Sequence, residues 1–293
     1  MTERLADINA RIAGMHQLGA VVNAMRGIAA ARAQQARAQL AAVDSYASAI
    51  AQGIGRAMAI KQAPELARAA PTTKQAIVLF CAEQGFAGAF NERVIDAVHG
   101  EFGKAVLFVV GSRGIAKLGE RGIVADWHGA MPAQSVFIPK FADRIAEALY
   151  QRIAAGTVDQ LDVVHSQWSA GHGVRVLRRC LFPLDVDLFS MAIDRSPPLQ
   201  NLRADELLAS LTADYVHAEL CQAALHAFAA ENQARMEAMA AAHRQVATRL
   251  IELHATQRRI RQEEITAEII ELAAGASADE NTGATVGPDR ERS

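Results

Sequence analysis

Two glycine-bearing turns are the first places where this chain could do chemistry. The apolar run Ala76–Phe80 leads into Gln84-Gly85-Phe86-Ala87-Gly88 and then a helical pattern, and Val106–Val110 leads into Gly111-Ser112-Arg113-Gly114 and another. A glycine turn that opens a helix can cradle a phosphate, because backbone N–H groups and the positive end of the helix dipole meet there. Neither turn has the full dinucleotide fingerprint, and neither has the lysine and hydroxyl of a P-loop, so plain strand-to-helix turns are the expected reading. No Gly-x-Ser-x-Gly nucleophile elbow is present. The 9 histidines are scattered and make no ligand set. His165, Trp168 and His172, near Cys180, read as a polar loop after a strand. Cys81, Cys180 and Cys221 are far apart, odd in number and without metal-ligand spacing, which suits unpaired thiols in a reducing compartment.

A different kind of chemistry gathers near the end of the chain. Arg258, Arg259 and Arg261 lie close together and are followed by Glu263, Glu264, Glu268 and Glu271. On a lone helix these charges are a solvated face, and pairs such as Arg259–Glu263 add only tenths of a kcal/mol. Among them, however, run Ile265, Ile269 and Leu272, and burying such side chains stabilises by about 1.5–3 kcal/mol each.

The elements that must position these residues follow from periodicity. Leu5, Ile8, Ile12, Met15, Leu18, Val22, Met25 and Ile28 are spaced mostly three and four apart, as in a coiled-coil seam, and Leu40, Val43, Tyr46 and Ile50 continue it. About half of Gly27–Ala42 is alanine, the strongest helix former, and no proline occurs before Pro64. One helix over about Thr2–Gly55 would be roughly 80 Å long. After Pro197 and Pro198 no proline appears until Pro288, and helical spacing runs from Leu208 to Leu272. A helix over Ala204–Ala274 would be roughly 105 Å long. Neither can bury its seam alone, so the two should pair antiparallel, the longer overhanging by about 25 Å. An uncovered apolar stripe on that overhang implies a sleeve supplied by another protein.

Between the helices, short apolar runs at Ala76–Phe80, Val106–Val110 and Leu161–Val164 alternate with helical patterns at Asn91–Val98 and Phe141–Ile153, which suggests parallel strands in a small α/β layer. Val174–Leu177 and Phe182–Asp187 add an edge. The expected fold is α plus α/β: a long antiparallel coiled coil of the terminal helices with an inserted, small Rossmann-like domain. Its parts are residues 1–60, 71–195 and 203–276, followed by a polar tail, 279–293, read as disordered. With 293 residues, 51 % apolar and a formal charge of −2, the chain can bury a core and lacks the basic excess of a nucleic-acid binder. No run of about 18 apolar residues predicts a membrane span, and no apolar block follows the charged start, so no secretory signal is expected.

The segment Arg261-Gln262-Glu263-Glu264-Ile265-Thr266-Ala267-Glu268-Ile269-Ile270-Glu271-Leu272-Ala273-Ala274-Gly275-Ala276 closely resembles the terminal signature of the gamma subunits of rotary F-type ATP synthases, R-Q-x-x-I-T-x-E-x-x-E-[IVL]-x-x-G-A. Glu231-Asn232-Gln233-Ala234-Arg235-Met236-Glu237-Ala238-Met239 resembles that family's E-x-x-A-R-M-x-A-M. Ile8, Arg11, Ile12, Ala24 and Met25 match its I-x-x-R-I and A-M positions. The turns at Gly85, Gly88 and Asn91 and at Gly111–Gly114 resemble its two glycine turns, so that the likeness spans residues 1–278. Departures stand at Val22-Asn23, where Thr-Lys is usual, at Glu83-Gln84 before Gly85, near Arg244-Gln245, and in the tail beyond Ala278. They suggest a divergent branch, a second and specialised rotary ATPase. No inserted cysteine pair is present, so the thiol regulation of chloroplast relatives is not expected.

The resemblance implies a central rotor stalk that binds no nucleotide and no other cofactor and carries no catalytic residue. Its implied partners are the alpha and beta subunits of the catalytic hexamer, the epsilon subunit and the c-subunit ring, on the cytoplasmic face of the bacterial inner membrane. Carried over by position, Arg261, Gln262, Thr266, Glu268 and Glu271 would be contacts to the hexamer, with Met25 their neighbour on the first helix. Arg258 and Arg259 join them because arginine offers a rigid donor fork to carboxylates. Two other readings share parts of these features: a structural coiled-coil adaptor, and a nucleotide-dependent α/β enzyme using the Gly85 or Gly111 turn.

Overall fold

A computed structural model describes residues 2–61, 74–185, 189 and 201–283. The element order is α1 (Thr2–Lys61), β1 (Gln75–Phe80), α2 (Phe90–Asp96), β2 (Val106–Val110), α3 (Ser112–Glu120), β3 (Trp127–Gly129), α4 (Ile138–Ala154), β4 (Gln160–Ser169), β5 (Gly173–Phe182) and α5 (Ala204–Gly283), with single 3-10 turns at His99–Glu101 and Ser135–Phe137. Both terminal helices outrun their sequence-based bounds, and α5 continues through residues 279–283 of the stretch read as a disordered tail. The expected domain limits at 71 and 195, the proline break at 197–198, residues 186–187 of the expected edge strand and the tail from 284 onward lie outside the described residues.

By its contacts the chain divides into two compact units, Met25–Met239 and the pair Met1–Ala24 with Ala240–Ser293. The larger unit contains a five-stranded sheet in the order β3-β2-β1-β4-β5. The first four strands are parallel neighbours, and β5 is antiparallel to β4, with an irregularity at Leu161/Asp162. The β-branched runs predicted as strands are the central ones and are buried on both faces, as parallel strands must be. Successive side chains alternate: Val78, Phe80, Phe108 and Val110 face Phe141, Ile145 and Leu149 of α4 and Leu220, Ala224 and Phe228 of α5. Ile77, Leu79, Leu107 and Val109 face Phe90 and Val94 of α2 and Leu118 of α3. Each such side chain removed from water stabilises by about 1.5–3 kcal/mol. The expected edge is one continuous strand, Gly173–Phe182, and a further three-residue strand, β3, lies outside the apolar runs of the sequence.

Within the same unit, α1 and α5 run antiparallel: Arg37 donates to Gln233 (2.6 Å), Gln222 donates to Asp44 (2.6 Å), and Gly53 lies against Leu211. The seam of α1 here is made largely of alanine. Ala29, Ala33, Ala36 and Ala47 are buried together with Ile50 and Ile54, whereas Ile28 and Tyr46, assigned to the seam from sequence, are exposed at 54 % and 48 %. Leu18, in the smaller unit, is likewise exposed. A seven-residue repeat runs unbroken through Ile8, Met15, Val22, Ala29, Ala36, Val43 and Ile50, and choosing the largest apolar residue at each turn slips off it, from Ala29 to Ile28.

Candidate functional site

In the smaller unit the first residues of α1 pack antiparallel on α5. Ile8, Ile12, Leu253 and Ile260 form the buried seam, flanked by Leu5, Met15 and Leu250. Gln257 donates to Asn9 (2.6 Å), and the rings of His16 and His254 are 6.3 Å apart. With Asn9 opposite Gln257, the start of α1 is level with about Glu264, and α5 continues past it. Beyond that point Ile265, Ile269, Ile270 and Leu272 are 50, 60, 64 and 74 % exposed, which is the uncovered stripe expected from the sequence.

The polar residues singled out from sequence surround that stripe. Arg258, Arg259, Arg261, Gln262, Thr266, Glu268 and Glu271 are all exposed. Arg259 lies 3.9 Å from Glu263, a surface pair of little energetic weight. Thr266 spends its hydroxyl on the Gln262 carbonyl (2.8 Å), one turn back on the same helix. Arg258 and Arg261 make no ion pair among the described residues, so both guanidinium forks are open to external carboxylates. Met25 is half-buried on α1, in the larger unit. The departure at Val22-Asn23 falls on the smaller unit: Val22 is buried in the seam, and Asn23 lines a notch of about 250 Å³ with His16, Gly19, His243 and Val246.

A second polar cluster, in the larger unit, is built on the Glu231–Met239 segment. Glu231 and Arg235, one turn apart on α5, are 3 % and 4 % exposed and paired at 2.5 Å. The Glu231 carboxylate accepts the backbone N–H groups of Glu83 (3.2 Å) and Gln84 (3.1 Å). Arg235 donates to the carbonyls of Gln84 (3.2 Å) and Gly85 (3.0 Å) and to the Asn232 side chain (3.0 Å). Burial pushes the Glu231 carboxyl up, against the opposing pull of Arg235 and of the two N–H groups. The pair clamps the turn after β1 onto α5. The legible signal is a carboxylate and a guanidinium one helical turn apart, Glu231 and Arg235, directly after the alanine-rich stretch 223–230.

This clamp bears on the nucleotide reading. In doubly wound sheets ligands bind at the carboxyl ends of the strands, near the point where strand order reverses. Here the turn after β1 is filled by α5. The start of α3 is filled by the Glu83 carboxylate, which accepts from the Ser112 N–H (3.0 Å), the Ser112 hydroxyl (2.6 Å) and the Met131 N–H (2.9 Å). The glycines serve packing: a Cβ on Gly111, whose φ is +103°, would stand 2.5 Å from the Cys81 carbonyl oxygen, and one on Gly114 would stand 2.2 Å from the Cys81 Cβ. Burial pushes the Cys81 thiol up to about 12. The histidine and cysteine positions noted from sequence do not converge either. His165 and Trp168 are on the strand β4 itself, not in a loop after it: His165 is buried beside His226, Trp168 stacks under the Arg37 guanidinium at 4.4 Å, and Cys180 is exposed on β5. No helix among the described residues is long and apolar enough to cross a membrane.

Comparison with known proteins agrees with this arrangement of long helices and inserted sheet. The family model described as ATP synthase matches residues 4–278. The ATP synthase gamma chain of Thermobifida fusca is 28 % identical over 285 residues, covering 92 % of this chain and 94 % of that protein. The ATP synthase gamma chain of Moorella thermoacetica is 27 % identical, covering 94 % and 98 %. A chain in the cryo-EM structure of the Euglena gracilis mitochondrial ATP synthase (OSCP, F1 and c-ring) superposes with a TM-score of 0.67 at 14 % identity, with both chains fully covered. One from the central stalk and c-ring of the Tetrahymena thermophila enzyme superposes with a TM-score of 0.57 at 15 % identity, covering 76 % of this chain and 99 % of that one. The solved structures match the fold, and the sequence matches run nearly end to end; this chain belongs to the ATP synthase gamma-chain family, as a non-catalytic central-stalk subunit.

Proposed function

We propose that this chain is the rotor shaft of a bacterial ATP synthase, with the end of α5 lodged in the bore of the hexamer of alpha and beta subunits and the α/β unit at the base beside the epsilon subunit and the c ring. Family membership makes it a peripheral component of ATP synthase; the cytoplasmic face of the cell membrane is the side on which we place it, as suits bacterial relatives such as those of Thermobifida and Moorella. Ion flow turns the ring, the shaft turns with it, and the asymmetric tip meets each catalytic subunit differently at each angle. Torque is then a difference in contact energy among the states of the hexamer, and the shaft needs no catalytic group of its own.

The observation that carries this reading is the exposed stripe Ile265–Leu272 beyond the end of α1, rimmed by Arg258, Arg261, Gln262, Glu268 and Glu271. An apolar tip with open guanidinium forks fits a close sleeve whose loops carry carboxylates. Ile269→Cys carrying a maleimide-linked photo-cross-linker, in a complex purified through this chain, should cross-link to alpha or beta on illumination. Recovery of the chain without those subunits would favour the adaptor reading instead. The clamp and the Glu83 contacts argue against the nucleotide enzyme, and ATP should leave the thermal midpoint of the isolated chain unchanged.

A further inference from the structure

The larger unit holds a cavity of about 310 Å³ between α5 and the β4–β5 ladder, away from both the tip and the clamp. At ~30 Å³ per water, that is space for a molecule of roughly ten non-hydrogen atoms. Its apolar lining includes Val163, Leu181 and Ala223, and its polar lining includes His165 of β4, Arg179 of β5 and His226 of α5. His165 is 8 % exposed, and its Nδ1 is buried without a hydrogen-bond partner among the described residues. Buried polar groups are nearly always satisfied, so an orphaned ring on a cavity wall asks for an occupant. Arg179 has donors to spare, because a guanidinium carries five N–H groups. Its Nη1 donates to Glu219 (2.5 Å) and Gln222 (3.5 Å), and its Nη2 donates to the Tyr215 hydroxyl (3.3 Å). The Nε–H and one Nη2–H have no partner among the described residues.

We propose that this cavity binds a small organic monocarboxylate, its carboxylate held by Arg179 and the imidazoles of His165 and His226 and its apolar body laid against Val163, Leu181 and Ala223. The spare Nε–H and Nη2–H of Arg179 make a fork of two donors, the geometry that matches a carboxylate. The two rings, with centres 5.6 Å apart and inclined at 55°, add an N–H each. No hydrogen bond to Nδ1 fixes the tautomer of His165, so that ring can place its proton toward the occupant. The field has the sign an anion needs. Burial first, then the positive charges of His226 and Arg179, push the His165 pKa down to about 3, and a field that resists a proton attracts a negative charge. Glu219, the one carboxylate of the lining, is already neutralised by Arg179 (2.5 Å). Inorganic phosphate would leave the apolar lining bare, which favours a carboxylate with a compact hydrocarbon body. Because the donors come from β4, β5 and α5, the ligand would tie the helix to the edge of the sheet within this unit.

The test uses the full chain with benzoate as probe and benzamide, its uncharged isostere, as comparison. Benzoate should bind saturably, one per chain, and raise the thermal midpoint. Benzamide and inorganic phosphate should each bind at least about tenfold more weakly, since a hydrogen bond to a charged group is worth about a factor of ten or more. On the same scale, His226→Gln and Arg179→Lys should each weaken benzoate binding by at least about tenfold. Lysine keeps the positive charge beside Glu219 but loses the fork, and His226 is only half-buried, so both variants test the site even if His165→Gln fails to fold. His254→Gln removes one ring of the other close histidine pair, His16–His254, and should leave binding unchanged. Absence of saturable benzoate binding to the unmodified chain would overturn the site. So would benzamide or phosphate binding as tightly as benzoate, or benzoate binding that survives either variant or is lost in His254→Gln.

Discussion

The last helix does two different jobs, and its two stretches are built differently. From Tyr215 to Arg235 almost every residue is buried or half-buried, because the sheet, α4 and α1 surround it. From Ala240 onward only a narrow seam is covered, by Val246, Leu253 and Ile260, and past Ile260 even that ends. The first stretch behaves as a core element whose charges must be paired. The second behaves as a surface whose stability contribution is small and whose side chains are available. Change in the first should therefore be read in stability, and change in the second in coupling.

The largest effect that would sharpen this contrast is at the clamp. Glu231→Ala leaves the Arg235 guanidinium buried without its partner, and such losses cost about 3–5 kcal/mol. Chemical denaturation of the isolated chain should show it; a loss below 1 kcal/mol, on the same scale, would mean that the clamp is ornamental. Next is the alanine seam. Ala36 is 0 % exposed, so Ala36→Leu must force α1 off its neighbours at a cost of about 1–3 kcal/mol, read by the same denaturation. A third, comparable effect comes from acid. Native His165 takes its proton near pH 3, the unfolded chain near 6.5. Between those values the unfolded state binds a proton that the native state refuses, so stability present above pH 6.5 is lost as pH falls. The loss is about 1.4 kcal/mol per pH unit, or about 1.5–2 kcal/mol from pH 6.5 to 5, and His165→Phe should flatten the slope there. The smallest stability effect belongs to the tip. Ile269→Ser should change the folding free energy by no more than about 0.5 kcal/mol, yet reduce ions pumped per ATP in the assembled enzyme. Met25→Lys is expected to act likewise, and unchanged pumping per ATP in both variants would break the division of labour.

The sequence made the long elements legible because they rest on local rules. The apolar strands β1, β2 and β4, the two terminal helices and the bare stripe at Ile265–Leu272 all follow from period and composition. What stayed hidden depends on distant partners or on small residues. Ala29, Ala33 and Ala36 look like helix formers, and only the facing helix shows that they are packing residues. β3 is three residues long and exists because Trp127 and His128 lie beside Phe108 and Val109. The role of Glu231 requires the turn at Glu83–Gly85, about 150 positions away in the chain. The tip residues were legible as a motif, and a motif carries no information on distance along a helix.

The carboxylate of Glu83 has a consequence for life beside a nucleotide-making machine. It occupies the one spot at the head of α3 where an anion would otherwise be drawn, and its negative charge repels any rival. A base wired in this way ignores the phosphates that fill its surroundings. A phosphate reaching this turn would meet a like charge and a backbone N–H already taken, so the turn offers it no hold.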